Sequence, residues 1–178
     1  MQQIYTLINK PKQILSLLII LPVIILIPRF TLGQGSDHTI SIFPYMESFE
    51  YVYGKWTQDV DDDFDWSLNV GMTPTDETGP MNAYEGDCYI FIKAVKNNPS
   101  NRAMITSPEF DISKLDEPVL AFAYNMNGRD IGTLEVLIST NKGETWKERL
   151  CFFSGDKGNT WYVANLDLRR FSGSKVTF

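Results

Sequence analysis

Histidine is nearly absent from this chain, and its single copy, His38, stands outside the stretch that reads as folded. One histidine cannot supply an H-E-x-x-H zinc site. Nor can it serve a Ser-His-Asp or Cys-His arrangement in the folded part. Cysteine is almost as scarce. Cys88 and Cys151 lie 63 positions apart, and export would permit a bridge, but two buried thiols are the expectation. Positive charge is in deficit, with 16 Lys and Arg against 22 Asp and Glu and a formal net charge of −6. That balance argues against nucleic acid and anionic membranes as partners. No sustained 3.6-residue apolar period occurs outside the N-terminal run, which excludes a helical bundle. A usable N-glycosylation sequon is missing too, because Asn98-Pro99-Ser100 carries the forbidden proline.

What is present begins with a leader. Lys10 and Lys12 precede an apolar run of 14 residues, Ile14 to Ile27, closed by Pro28 and Arg29. Thr31-Leu32-Gly33 offers small residues for cleavage. Residues 1–33 therefore have the layout of a secretory signal peptide, and the run is short of the roughly 20 apolar residues of a spanning helix. An uncleaved anchor is the alternative. Cleavage would remove Lys10, Lys12 and Arg29 but no acid, leaving 13 basic against 22 acidic residues and a net charge of −9. Residues 34–44 read as a linker and 45–178 as one domain, long enough for its own core.

The domain reads as strands separated by turn signals at roughly ten-residue spacing. Strands are expected at Trp66–Val70, Cys88–Val95, Arg102–Ser107, Val119–Met126 and Thr133–Ser139, with a long loop at 71–87 and a turn at 96–101. In Val119–Met126, Leu120, Phe122, Tyr124 and Met126 share one face, with Ala121 and Ala123 on the other. This pattern points to an all-β sandwich or barrel. The terminal Val176-Thr177-Phe178 is an apolar alternation that does not close, so the domain is expected to be truncated at its C-terminus.

The run Trp56-Thr57-Gln58-Asp59-Val60-Asp61-Asp62-Asp63-Phe64-Asp65-Trp66 places five aspartates within seven residues between two tryptophans. Bulky rings at both ends mean a loop anchored in a core. Crowded hard oxygen ligands suit a cation such as Ca²⁺; a solvated, turn-rich loop is the plain alternative. In an extended chain Asp59, Asp61, Asp63 and Asp65 would face one side, with Asp62 and Phe64 on the other.

Phe49-Glu50 stands just ahead of this run, and F-E-x(5)-W-x-x-D-x-D-D-x-D-W resembles the opening of a MAM domain, the module of meprins, neuropilins and receptor tyrosine phosphatases. Thr78-Gly79-Pro80, Tyr89-Ile90-Phe91, Arg102 to Pro108, Leu120 to Met126, Gly132 to Val136, Ser154 to Trp161 and Val176-Thr177-Phe178 follow in the family's order. The resemblance implies a two-sheet antiparallel jelly-roll sandwich. It also implies that Glu50 leaves the first strand near the acidic loop, giving Glu50, Asp59, Asp61, Asp63 and Asp65 as candidate ligands of a structural Ca²⁺ or Na⁺. The chain departs from the family at its cysteines: the positions flanking the first strand hold Glu47 and Gly54, a later one falls near Pro118, and Cys88 and Cys151 lie elsewhere.

Ser139-Thr140-Asn141-Lys142-Gly143-Glu144-Thr145-Trp146 resembles an Asp-box. It is read as a hairpin device, in which Asn141 bonds local backbone, Gly143 supplies positive φ and Trp146 packs beneath. A glycosidase needs two carboxylates held about 5 to 10 Å apart, but the E-x-D-x-x-E signature of jelly-roll glucanases is absent. Among the aromatics, Phe91, Phe122, Tyr124 and Trp161 fall in strand patterns, while Tyr45, Tyr51, Tyr53, Tyr84, Phe152 and Phe153 are candidates for an exposed face. The resemblance implies a non-catalytic recognition or adhesion module, secreted or at the cell surface, contacting an extracellular protein or glycan and able to self-associate. Two alternatives stay open: a carbohydrate-binding module, and an accessory domain of an exported hydrolase whose catalytic part lies outside this chain.

Overall fold

The computed structural model describes residues 2–3, 39–93, 100–146 and 148–178. They form an all-β fold whose only helical element is a 3₁₀ turn, Arg169–Phe171. Its strands are β1 (Gln2–Gln3), β2 (Thr57–Gln58), β3 (Ser67–Val70), β4 (Cys88–Phe91), β5 (Ile105–Thr106), β6 (Phe110–Asp111), β7 (Val119–Asn125), β8 (Thr133–Ile138), β9 (Glu148–Ser154), β10 (Trp161–Asp167) and β11 (Lys175–Val176). One sheet runs β10-β7-β1-β4-β3; the other strands pair two by two as β11-β6, β2-β5 and β8-β9. All these pairings are antiparallel.

The period-2 pattern explains the layers. On β7, Leu120, Phe122 and Tyr124 turn to one face and meet Phe110, Ile138, Val176 and Phe178 from the smaller pairs. Directly paired residues share a face, so Ala164 of β10 opposite Phe122 and Tyr162 opposite Tyr124 extend the same side. The Tyr124 ring stacks on Phe153 of β9 at 4.4 Å and on Tyr162 at 5.6 Å. A second, smaller cluster gathers Phe49, Trp56, Trp66 and Ile90. The core roles expected of Trp56, Trp66, Phe122 and Tyr124 agree with their burial. Phe91 and Trp161 are only half-buried.

The outer face of the large sheet is covered by the loop that links β3 to β4. Tyr89 donates its hydroxyl to the carbonyl of Gly71 (2.8 Å), and Trp161 Nε1 donates to the carbonyl of Asn82 (3.0 Å). Asn127 ties the loop down further, donating from Nδ2 to the carbonyl of Gly79 (3.1 Å).

Several strands are shorter than the sequence predicts. β4 ends at Phe91 and β5 spans two residues. Residues 94–99, which hold the end of the expected Cys88–Val95 strand and most of the expected turn, lie outside the described residues. Of the stretch read as a leader, only Gln2–Gln3 is described, as a two-residue strand between β4 and β7. Residues 39–44 fall in the expected linker but are bonded into the sandwich. The Ile40 N–H donates to the carbonyl of Glu109 (2.7 Å), the Ile40 carbonyl accepts from Asp111 N–H (2.8 Å), and Phe43 packs on the main core.

Candidate functional site

The acidic run is the first candidate. It is bent rather than extended over 60–64, and the expected alternation holds only from Asp61 onward, with Asp61, Asp63 and Asp65 exposed and Asp62 and Phe64 half-buried, whereas Asp59 is half-buried and Val60 exposed. Its carboxylates act as acceptors for backbone. Asp59 Oδ1 accepts the N–H of Asp61 at 2.8 Å, an Asx turn. Asp62 Oδ2 accepts Met104 N–H at 2.5 Å, and Asp63 Oδ2 accepts Arg102 N–H at 2.7 Å. Two more bonds run the other way, from Asp59 N–H to the Met104 carbonyl and from Asp63 N–H to the Arg102 carbonyl. The loop therefore clamps the segment leading into β5, and Trp66 Nε1 donates to the Ala103 carbonyl (3.3 Å) of that segment.

Glu50 faces a different neighbour. Its Oε1 accepts N–H bonds from Asp87 (3.0 Å) and Cys88 (3.3 Å), at the start of β4. Of the five candidate ligands, Glu50 and Asp63 thus bond two different backbone segments and Asp59 bonds its own loop, and no group of three His, Cys, Asp or Glu side chains with metal-holding geometry occurs among the described residues. As placed, the carboxylates do not fit a common cation, and no mechanism is built on one.

The entry to the domain is shaped by positive φ at Phe49, Tyr51 and Gly54, with φ of 57°, 63° and 57°. The turn buries Phe49 against Trp56, ring centroids 5.7 Å apart. Glu47 accepts from the Tyr45 hydroxyl at Oε2 (3.0 Å) and from Phe49 N–H at Oε1 (3.2 Å). Burial, then the charge of Glu47 and that hydrogen bond, push the Tyr45 hydroxyl well above its usual range, so it stays a donor. The same Glu47 Oε2 lies 1.9 Å from where a Cβ on Gly54 would stand. The two positions where the resemblance expects cysteines are thus in contact, with a carboxylate filling the space left by glycine. Cys88 and Cys151 are not joined in a disulfide; the first is buried and the second half-buried.

The second candidate is a surface. Tyr51, Val52, Val70, Met72, Met81 and Tyr84 are each 47–64 % exposed. Val70 ends β3, Met72, Met81 and Tyr84 belong to the loop that covers the sheet, and Tyr51 and Val52 to the turn at the entry of the domain. Val70 pairs with Cys88, the Tyr51 hydroxyl donates to Asp87 Oδ2 at 3.4 Å, and Tyr84 meets Trp161 edge-on at 6.0 Å. Of the six aromatics expected to be exposed, Tyr51, Tyr84 and Phe152 are exposed. The other three pack inward: Tyr45 on Phe110, Tyr53 through its hydroxyl to the Trp66 carbonyl, and Phe153 on Tyr124. Phe152 sits beneath Arg149 on β9, away from the other two. Sequence reasoning missed the valines and methionines of this surface. Their signal was apolar side chains inside a Gly- and Pro-rich loop that has few inward-facing places.

The Asp-box-like turn is built as expected. Asn141 Oδ1 accepts from Ser139 Oγ (2.7 Å), Thr145 N–H (3.1 Å) and Thr145 Oγ1 (3.2 Å). Gly143 has φ of 83°, and Trp146 lies 3.3 Å from where its Cβ would be.

The family model for the MAM domain, meprin/A5/mu, matches residues 48–178. The chain belongs to the MAM family. It is 32% identical over 136 residues to the rat (Rattus norvegicus) MAM domain-containing glycosylphosphatidylinositol anchor protein 1, covering 69% of this chain and 14% of that protein. Against the mouse (Mus musculus) MAM domain-containing glycosylphosphatidylinositol anchor protein 2 the identity is 27% over 173 residues, 86% of this chain and 18% of the relative. Neuropilin-1 of Xenopus laevis is 27% identical over 117 residues, 65% of this chain and 12% of its own length. The MAM chain described here spans about 14% of the length of the first of these curated relatives.

Proposed function

We propose that this MAM domain is a non-catalytic extracellular recognition or adhesion module that works by protein–protein contact. The observation that carries the reading is the exposed apolar rim of Tyr51, Val52, Val70, Met72, Met81 and Tyr84. Large apolar side chains left exposed mark candidate interaction sites, tyrosine is enriched at interfaces, and methionine adapts to a partner's shape. Glu85 and Asp87 are exposed beside the rim, which favours a partner with an apolar centre and basic edges. The leader-like N-terminus and the glycosylphosphatidylinositol anchor in the relatives' names support a secreted or cell-surface location.

Beads coated with the protein and mixed with animal cells test this reading. Cell attachment should be lost when the cells are treated with protease, should survive glycosidase treatment, and should fall at least tenfold with Met72→Asp plus Tyr84→Asp. Attachment lost to glycosidase and kept after protease would replace the reading with carbohydrate binding. Clumping of beads without cells would make the partner a second copy.

The Ca²⁺ or Na⁺ expected of the acidic loop belongs to the proposal only as a cation that draws its carboxylates together on binding, since no three of them converge among the described residues. A ligand that binds only the folded state raises the melting temperature. A Ca²⁺-dependent rise abolished by Asp61→Asn with Asp63→Asn supports it. Equal melts with Ca²⁺, Na⁺ and chelator leave the loop as a backbone clamp alone.

A further inference from the structure

The acid excess of this domain is not spread evenly. Residues 45–93 carry 11 Asp and Glu against two Lys, while residues 100–178 carry 10 Asp and Glu and 10 Lys and Arg. In the acidic part the fold itself occupies the carboxylates of Glu47, Glu50, Asp59, Asp62 and Asp63, which accept backbone N–H groups. Asp76 and Glu77 differ. Among the described residues their side chains, and that of Asp130, accept no hydrogen bond and form no ion pair. All three line one cleft of about 180 Å³. Asp76 and Glu77 stand on a wall formed by 73–78 and Asp130 on a wall formed by 128–131, with Phe91 and Ile92 coming from the end of β4 and just beyond it.

This cleft is preformed. Thr73 is buried and donates its hydroxyl to the Thr78 carbonyl (2.7 Å), and Thr78 donates to the Thr75 carbonyl (2.6 Å), which closes the first wall on itself. A reciprocal pair joins the two walls: Gly79 N–H donates to the Asn127 carbonyl (3.0 Å), and Asn127 Nδ2 donates to the Gly79 carbonyl (3.1 Å). A Cβ on Gly128 would stand 3.2 Å from Thr78 Cγ2, so the walls already touch at that point. Glu77 holds its carboxylate at φ of 58°, a conformation that glycine would adopt at lower cost. Little ordering remains for a ligand to impose.

The lining narrows the ligand. Three carboxylates outnumber the cations of Lys93 and Arg129, and the acid excess of residues 45–93 adds to their field, which disfavours an anion. No three acidic groups among the described residues are placed to share a metal ion. Carboxylates on facing walls beside an apolar surface match a long basic side chain instead. Arginine combines an apolar stem with a planar fork of donors that pairs with carboxylates. The stem would lie on Phe91, Ile92 and Ile131, and the fork would reach Asp76, Glu77 and Asp130.

We propose that this cleft receives an arginine side chain of the protein partner. The inference rests on the reading of the domain as a protein-contact module and adds a specificity-determining contact to it. Met72 of the exposed rim and Thr73 of the cleft are neighbours in the loop that joins β3 to β4. One loop therefore presents both an apolar surface and a socket for a basic side chain.

The probe is a blocked peptide with one arginine between glycines, titrated into the ¹⁵N-labelled protein. Its twin carries citrulline, which keeps the shape and removes the charge. The arginine peptide should shift the amides of 75–78 and 128–131, and the citrulline peptide should bind at least about tenfold more weakly. Asp76→Asn with Asp130→Asn should abolish the difference without lowering the melting temperature. Equal binding of the two peptides overturns the proposal. Shifts confined to 59–65 also overturn it, by giving the cation preference to the acidic run, and so does a neutral methyl glycoside that shifts the cleft amides when the arginine peptide does not. Met72→Asp with Tyr84→Asp should leave peptide binding unchanged. If those two substitutions abolish cell attachment and the peptide does not bind, the cleft assignment fails and the recognition reading stands. If the peptide binds and attachment ignores the rim, the recognition reading fails and the cleft stands as an arginine site.

Discussion

The two apolar clusters of this domain are built on opposite plans. The larger one hangs on long, regularly paired strands, seven residues each in β7, β9 and β10. Its residues arrive by alternation, and a single Asn-centred turn closes one end. The smaller one, Phe49, Trp56, Trp66 and Ile90, draws three of its four residues from outside strands. It depends on left-handed backbone at Phe49 and Gly54 and on aspartates that grip a neighbouring segment. A strand-built core is tolerant, because the ladder holds the frame while side chains adjust. A loop-built core has no such frame, so single carboxylates and glycines do the work that hydrogen-bond ladders do elsewhere.

The strongest way to break this contrast is to hollow out each cluster. Phe122→Ala and Trp66→Ala should each cost about 3–5 kcal/mol, the usual cost of removing a buried ring. If the clusters form one cooperative unit, both variants still unfold in one denaturant transition with an unchanged m-value. A second transition in Trp66→Ala alone would separate the loop-built part from the rest. Next in size comes Gly54→Ala, which adds a methyl group at left-handed φ into the space of the Glu47 carboxylate. It should cost about 1–3 kcal/mol. In combination with Glu47→Ala the loss should be smaller than the sum, because the two sites touch.

Asn141→Ala probes the turn at the end of β8, where one side-chain oxygen accepts three bonds. A loss of about 1 kcal/mol is expected by thermal melting, with the loop-built cluster unaffected. The smallest effect concerns Asp156. Bonds from the N–H groups of Gly158 and Gly128 hold its carboxyl below the ordinary range. A lowered folded value stabilises above the unfolded value, about 3.9, and that contribution disappears as pH falls through the folded one. The melting-temperature gap between the wild type and Asp156→Asn should be full at pH 6 and close below about pH 4. A gap that persists at pH 2 would assign the effect to shape rather than charge.

The contrast also explains what could be read in advance. Alternation in Val119–Met126 and Thr133–Ser139 announced β7, β8 and the inward rings, because burial on one face imposes period 2. The Ser139–Trp146 turn was legible for the same local reason, since each of its bonds joins near neighbours in sequence. β9 and β10 went unread: their exposed Phe152, Tyr162 and Val163 blur the alternation that marks a half-buried strand. The acidic run was located and its outward and inward sides from Asp61 to Asp65 came out as expected, but Asp59 turned inward and the partners were not foreseen. Arg102 and Met104 lie some forty positions away, and nothing local to the aspartates names them. The contact of Glu47 with Gly54 was likewise hidden, since a glycine carries no sign of what fills the place beside it.

That contact has a practical consequence. Where the family usually has a cysteine pair, this domain has a side chain and a vacancy, and its two thiols are unlinked. Nothing in the described fold waits on an oxidant. Renaturation should therefore run to the same yield with or without a reducing agent, and a host cytoplasm should serve as well as a periplasm for making the protein.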